Sequence, residues 1–147
     1  MPIIPIYFDL EELVCKHVYN KYGQFAWSFF DPRLIETIDW IREAIDRPIY
    51  ANNWDMKGKF SQRGLRCNQC SLLKKATLDQ VVYMTAHVRG QALDFDIPGM
   101  LAEEVRKWLV DHRYKLPHKI RLEKDTSWVH LDVACTNDEK VNLYYAA

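Results

Sequence analysis

The chain has 147 residues, of which 48% are hydrophobic and 27% are charged, with equal numbers of basic and acidic side chains. This composition is that of an ordinary globular protein and excludes a disordered or collagen-like chain. The length predicts one domain over residues 1–147. The formal charge of zero argues against a nucleic-acid partner, because such proteins usually carry a basic excess.

The N-terminal segment lacks the features of a secretory signal. The stretch MPIIPIYFDLEEL contains no basic residue, and prolines stand where the apolar part of a signal peptide would lie. No part of the sequence approaches the run of about 18 apolar residues that a bilayer span requires. We therefore expect a protein that is cytoplasmic as made and does not enter a membrane.

Three helices are predicted in chain order. The first begins after Asp9, and its apolar stripe includes His17, so this histidine is expected in the core. The second has Asp31 as its N-cap and Pro32 at its first position, followed by isoleucines and a leucine at helical spacing. The third covers residues 100–112, where apolar side chains recur on one side.

The rest of the chain is typical of short strands, most of them after the first two helices. Residues 137–139 form a turn that is expected to join the last two strands into a hairpin. This order predicts an α+β fold with a small, mostly antiparallel sheet and helices packed on it. The predicted strands are residues 49–52, 92–96, 119–123, 128–134 and 140–145.

The four cysteines, Cys15, Cys67, Cys70 and Cys135, are too few for a disulfide scaffold in a chain of this length. Cys67 and Cys70 have CxxC spacing, but a zinc ribbon would require a second CxxC or a histidine pair, and the sequence has neither. Reduced structural thiols are therefore favoured, with a disulfide and metal or redox chemistry left as alternatives.

Histidine and aspartate recur in two segments that are predicted to face one cleft. In TAHVRGQALD, His87 precedes Asp94 by seven residues, and in the later strand WVHLD, His130 and Asp132 share one face. His87, Asp94 and His130 would form a complete protein ligand set for a catalytic zinc, with a fourth position left for water. Half-buried structural side chains are the alternative interpretation.

The run TAHVRGQALD resembles the S-x-H-x-x-G-x-A-x-D signature of the zinc D-alanyl-D-alanine carboxypeptidase family. That family includes L-alanyl-D-glutamate endolysins and shares its fold with the hedgehog signalling domain. Thr85 replaces the signature serine with another hydroxyl, and every other signature position matches. The segment VHLDV around His130 resembles the family's second metal motif, H-x-D. RGLR, which ends at Arg66, resembles its S-G-[YF]-R element with leucine in place of the aromatic residue.

The resemblance implies that His87, Asp94 and His130 bind one zinc ion and that Arg66 holds a substrate carboxylate or stabilises the oxyanion. A planar guanidinium suits this task, because it can donate two parallel hydrogen bonds to a carboxylate. The implied reaction is hydrolysis of the stem or cross-link peptides of peptidoglycan. A solvated surface position is the alternative for Arg66.

The general base is where the chain departs from this family. Relatives carry an acid three residues before the second histidine, and here that position is Ser127, which cannot accept a proton at neutral pH. Asp125 is favoured as the catalytic base, since it has the same strand parity and a bulge before Trp128 would bring it to the metal. Glu123 and Asp132 are alternatives, Asp132 also as a carboxylate that orients an imidazole, and so is the absence of any base.

We therefore interpret the chain as a monomeric zinc peptidase of hedgehog/DD-peptidase-like fold that acts on cell-wall peptides as a carboxypeptidase or an endopeptidase. Its small size favours a phage- or prophage-encoded enzyme that is released to the cell wall. The alternative is a catalytically silent zinc-containing module of the same fold, which Ser127 favours. A third interpretation is a binding domain without metal.

Overall fold

The structure is a computed structural model that describes residues 1–134 and 137–146, so Cys135 lies outside the described residues. Helices and a sheet both contribute to it, and the predicted α+β class is confirmed. No helix in the described part of the chain is long and apolar enough to cross a bilayer. The α-helices are α1 (Leu10–Leu13), α2 (Lys16–Tyr22), α3 (Pro32–Ile45), α4 (Ser71–Leu78) and α5 (Ala102–Asp111).

The first predicted helix is divided into α1 and α2. Val14 and Cys15 between them have extended backbones, with ψ near 158° and 159°. The extended backbone of these two residues interrupts the helix, although the apolar spacing of the sequence continues across them. As a result His17 is exposed, and its predicted place in the core is wrong.

Helix α3, which is the second of the three predicted helices, forms as its sequence signals predict. The carboxylate of Asp31 accepts a hydrogen bond of 3.0 Å from the backbone N–H of Arg33, and Pro32 occupies the first helical position. Its apolar stripe is buried in the core. The sequence analysis did not predict α4, which follows the CxxC directly.

The described strands form one mixed sheet in the order β1-β3-β2-β4. Strand β3 pairs antiparallel with both β1 and β2, whereas β4 pairs with β2 in parallel. The predicted hairpin between the last two strands is therefore wrong. Residues 49–52 form no strand, and Tyr50 makes an isolated bridge with Asp96. The strands are β1 (Ala92–Phe95), β2 (Ile120–Glu123), β3 (Val129–Asp132) and β4 (Val141–Tyr144).

The two faces of the sheet differ in chemistry. One face is apolar and lies in the hydrophobic core with α3 and α5, and burial of these side chains is the main favourable contribution to folding. Alternation along the strands places the polar side chains on the opposite face. That polar face carries Asp94, Arg121, Glu123, His130 and Asp132, all of which line one pocket.

Candidate metal centre

The register of β1 against β3 brings Asp94 and His130 together. These two residues are directly opposed in the antiparallel ladder, and opposed side chains lie on the same face of a sheet. His130 Nδ1 lies 2.7 Å from Asp94 Oδ1. Both side chains are buried, as is that of Asp132 two residues further along β3.

A tight turn before β1 brings His87 to the same place. Gly90 has a positive φ of 69°, and a Cβ there would collide with the carbonyl of Phe29. The turn is closed by a 2.9 Å hydrogen bond from the N–H of Gln91 to the carbonyl of Ala86. His87 Nε2 then lies 3.3 Å from Asp94 Oδ2.

The three predicted ligands therefore converge in space. One donor atom from each of His87, Asp94 and His130 lies within 4.8 Å of the others. Nitrogen and oxygen ligands about 2.0–2.1 Å from a tetrahedral zinc lie roughly 3.3 Å from one another. The 3.3 Å contact to Asp94 Oδ2 equals this separation, whereas the 2.7 Å contact to Asp94 Oδ1 is a hydrogen bond that a bound ion would replace, so the three side chains could hold a small divalent cation.

Each imidazole has its outer nitrogen engaged by an acceptor. His87 Nδ1 lies 2.9 Å from the carbonyl oxygen of Gly64, and His130 Nε2 lies 2.8 Å from Asp132 Oδ2. Arg121 in turn donates to both oxygens of Asp132, at 2.8 and 3.0 Å. Outer acceptors of this kind fix the orientation of metal-binding histidines, because they hold one ring nitrogen and direct the other one inward. Asp132 thus has the contact expected of an orienting carboxylate.

The charged groups of the cluster stabilise one another against the effect of burial. Burial alone would raise the pKa of Asp94, but hydrogen bonds and charge interactions with His130 and His87 hold it well below its usual value. Burial would likewise lower the pKa of His130, but Asp132 and Asp94 raise it to about 9. Two carboxylates thus stabilise a cationic group between them in a site with little access to water.

Arg66 is also part of this site. Its Nη2 lies 3.5 Å from Asp94 Oδ2, its Nη1 donates to the hydroxyl of Tyr83 at 2.9 Å, and its Nε donates to the carbonyl of Gln62 at 2.6 Å. Only 11% of the side chain is exposed. Arg66 is therefore held beside the cluster, which contradicts the alternative of a solvated surface arginine.

The structure does not bring Asp125 to the cluster. Asp125 has a positive φ of 62° and lines a separate pocket with Lys107 and Tyr145. The buried guanidinium of Arg106 donates to the carbonyls of Glu123, Thr126 and Trp128, and so holds the whole turn. Asp125 therefore faces this separate pocket and not the cluster.

Glu123 lies on the pocket wall instead. It follows Arg121 by two residues on β2, so the two side chains share the polar face, and both line the pocket that contains the cluster. This pocket has a volume of about 420 Å³, within the usual range for small-ligand sites. A second pocket shares Arg66, Asp94 and Trp128 with it, so the groove continues past the cluster.

Two further residues contribute to this site and were not predicted from the sequence, Arg121 and Tyr144. The Tyr144 hydroxyl donates to Asp132 at 3.4 Å, and its ring lies against the guanidinium of Arg121. The alternation of β2 could have indicated Arg121. Tyr144 could not be found, because it depends on the parallel pairing of β4.

A second group of metal-binding side chains lies elsewhere in the fold. Cys15, His17, Cys67 and Cys70 each offer one donor atom within 4.8 Å of the others, so this group could hold a metal ion. CxxC and histidine-pair spacings do not reveal this combination, because Cys15 and His17 are about fifty residues from the CxxC.

Comparison of the chain with protein-family models, with curated proteins and with solved structures gives no match in any of the three. The geometry of the two clusters and the motif resemblance are therefore the basis for assigning a function.

Proposed function

We propose that the chain is a zinc-dependent peptidase that hydrolyses peptide bonds of peptidoglycan. The observation that carries the proposal is the convergence of His87 Nε2, Asp94 and His130 Nδ1 in one pocket, with both outer nitrogens of the histidines engaged. A structural zinc site is normally closed by four protein ligands, whereas three protein ligands at a pocket leave a position for a reactant. The motif resemblance supplies the substrate class.

His87, Asp94 and His130 would hold the zinc ion. A zinc ion bound there would polarise a carbonyl group and acidify a water molecule. Glu123, on the pocket wall, accepts the proton released by the attacking water and passes it to the leaving amine. Arg66 donates to a carboxylate of the substrate, since its guanidinium already lies beside Asp94 at the junction of the two pockets.

A catalytically silent module that keeps the zinc is the second candidate. Ser127 favours it, because the position at which the family carries its acid has no proton acceptor. Both candidate functions include a bound zinc ion, but only the peptidase hydrolyses a substrate.

The test measures zinc content and the release of free amines from purified peptidoglycan by the same zinc-loaded protein. The peptidase is expected to release amines, and His87→Ala is expected to lose both this activity and about one zinc ion per chain, since two remaining ligands bind zinc far more weakly. His118→Ala is the matched control, because His118 pairs with Glu36 at the surface, away from both clusters. A zinc-loaded protein that cleaves no wall peptide would favour the silent module.

A further inference from the structure

We propose that Cys15, His17, Cys67 and Cys70 form a second, structural zinc site that is independent of the His87–Asp94–His130 cluster. Three thiolates and one imidazole are a complete ligand set for a closed tetrahedral zinc. All four donor atoms already lie within 4.8 Å of one another. Cys70 Sγ and His17 Nδ1 are 3.8 Å apart, close to the roughly 3.6 Å that separates sulfur and nitrogen ligands of a tetrahedral zinc.

The CxxC turn has the geometry that directs both thiols to one point. The N–H of Cys70 donates to the carbonyl of Cys67 at 3.0 Å, and the N–H of Gln69 donates to Cys67 Sγ at 3.3 Å. These two hydrogen bonds fix the turn and with it the orientation of the Cys67 side chain. Cys70 is also the N-cap of α4, so the helix fixes its position.

Backbone pairing brings the other two ligands to this turn. Val14 and Leu65 form a parallel bridge, in which the N–H of Cys15 donates to the carbonyl of Leu65 at 3.0 Å and the N–H of Leu65 donates to that of Leu13 at 2.8 Å. A Cβ at Gly64 would collide with the Leu13 carbonyl, so the close approach requires glycine there. The break between α1 and α2 therefore places the Cys-x-His segment against the CxxC.

The number of thiols favours a metal over a disulfide. Cys15, Cys67 and Cys70 are all free in the structure. A disulfide between any two of them would leave the third thiol and the exposed imidazole of His17 without a role, whereas a zinc ion uses all four side chains.

A zinc ion at this place would also act on the first site. Arg66 directly precedes Cys67, and the Gly64 carbonyl accepts the hydrogen bond from His87. The ion would tie the segment that carries both groups to the N-terminal helices. We therefore expect its removal to lower the temperature of unfolding and to loosen Arg66.

The test is a cobalt titration of the full chain, purified under reducing conditions and stripped of metal. Cobalt bound by thiolates gives an intense charge-transfer band in the near ultraviolet, which a site of two histidines and one aspartate does not give. We expect the intensity of this band to stop rising once about one cobalt ion per chain is bound at the cysteine site. Cobalt binding without the band would overturn the proposal, whatever any variant does.

Variants assign the band and separate the two sites. Cys67→Ser, at a half-exposed position, removes one of the three thiolates and is expected to weaken the band and to lower the zinc affinity of this site, so that dialysis reduces the zinc content from about two to about one ion per chain. His87→Ala should keep the band and lose the other ion, and His118→Ala and Cys135→Ser should keep the band and both ions. A folded Cys67→Ser protein that retains both ions, or loss of the band in Cys135→Ser, would overturn the assignment. The band does not depend on hydrolysis. A protein that shows the band but cleaves no wall peptide would therefore contradict the proposed peptidase function and leave the cysteine site supported.

Discussion

Among the single residues, Arg66 connects the two clusters. It lies beside Asp94 and directly before Cys67, and three different groups accept hydrogen bonds from its guanidinium. We predict that Arg66→Lys lowers kcat/KM on wall peptides by about ten- to a hundred-fold, the usual effect of losing a hydrogen bond to a charged group. Zinc content should not change, because Arg66 is not a ligand. Unaltered kinetics in Arg66→Ala would remove the residue from the site.

The identity of the general base is a second question at the residue scale. Glu123 lines the pocket with the cluster, whereas Asp125 lines a separate one. We predict that Glu123→Gln retains zinc and lowers kcat by about 10²–10⁴-fold, the contribution of a positioned base. Asp125→Asn is the matched control, since it makes the same chemical change two residues away and should stay near the activity of the unaltered protein. The opposite ranking of the two variants would restore Asp125 as the base.

The N-terminus of helix α3 holds the turn that carries the site, although it contributes no residue to the metal cluster. Asp31 caps the helix, its N–H donates to the carbonyl of Gly90 at 3.0 Å, and its carboxylate accepts a hydrogen bond from Gln91 at 3.1 Å. Helix α3 is thereby joined to the turn between His87 and Asp94. The hydrogen bonds from Arg33 lower the pKa of Asp31 to about 2, against the opposing effect of burial.

We predict that Asp31→Ala lowers the free energy of unfolding by about 1 kcal/mol at neutral pH, the typical effect of losing an N-cap. Because the pKa of Asp31 is lower in the folded state, its contribution is complete above about pH 4 and is lost as the pH falls through about 2. Urea unfolding of both proteins at several pH values measures this. A difference that stays constant from pH 7 to the acid limit would contradict the assigned cause.

The elements differ in how far local sequence determines them. Helix α3 was predictable because its cap, its proline and its apolar stripe all indicate the same segment. The division between α1 and α2 was not, because the apolar spacing continues across it and the extended Val14 is held by pairing with Leu65, about fifty residues away. His17 was assigned to the core for that reason, and the cysteine cluster was missed with it.

At the scale of the whole molecule, the sheet order explains which parts of the site could be predicted. Asp94 and His130 are opposed across one antiparallel pair, and alternation within each strand predicted the face on which each lies, whereas the motif resemblance implied that they share one metal. Asp125 was expected beside the metal, but the turn that contains it is held away from the cluster by Arg106 of α5, a distant contact that strand alternation does not reveal. The parallel pairing of β4 with β2 could not be predicted from the sequence either, since residues 137–139 have the composition of a turn that would join two strands into a hairpin.

Both clusters gather their ligands from distant parts of the chain, so zinc should bind the folded protein far better than the unfolded one. We predict that free zinc at about a thousand times the dissociation constant of a site stabilises the fold by about 4 kcal/mol, which corresponds to a rise in Tm of roughly 8–16 °C. Magnesium should have little effect, because it prefers oxygen ligands and both clusters contain imidazole. Thermal unfolding with each ion measures this, and a double variant, His87→Ala with Cys67→Ser, should lose the response to zinc. A Tm that zinc leaves unchanged in the unaltered protein would contradict both sites together, whereas a full response in either single variant would contradict a contribution from the site that it removes.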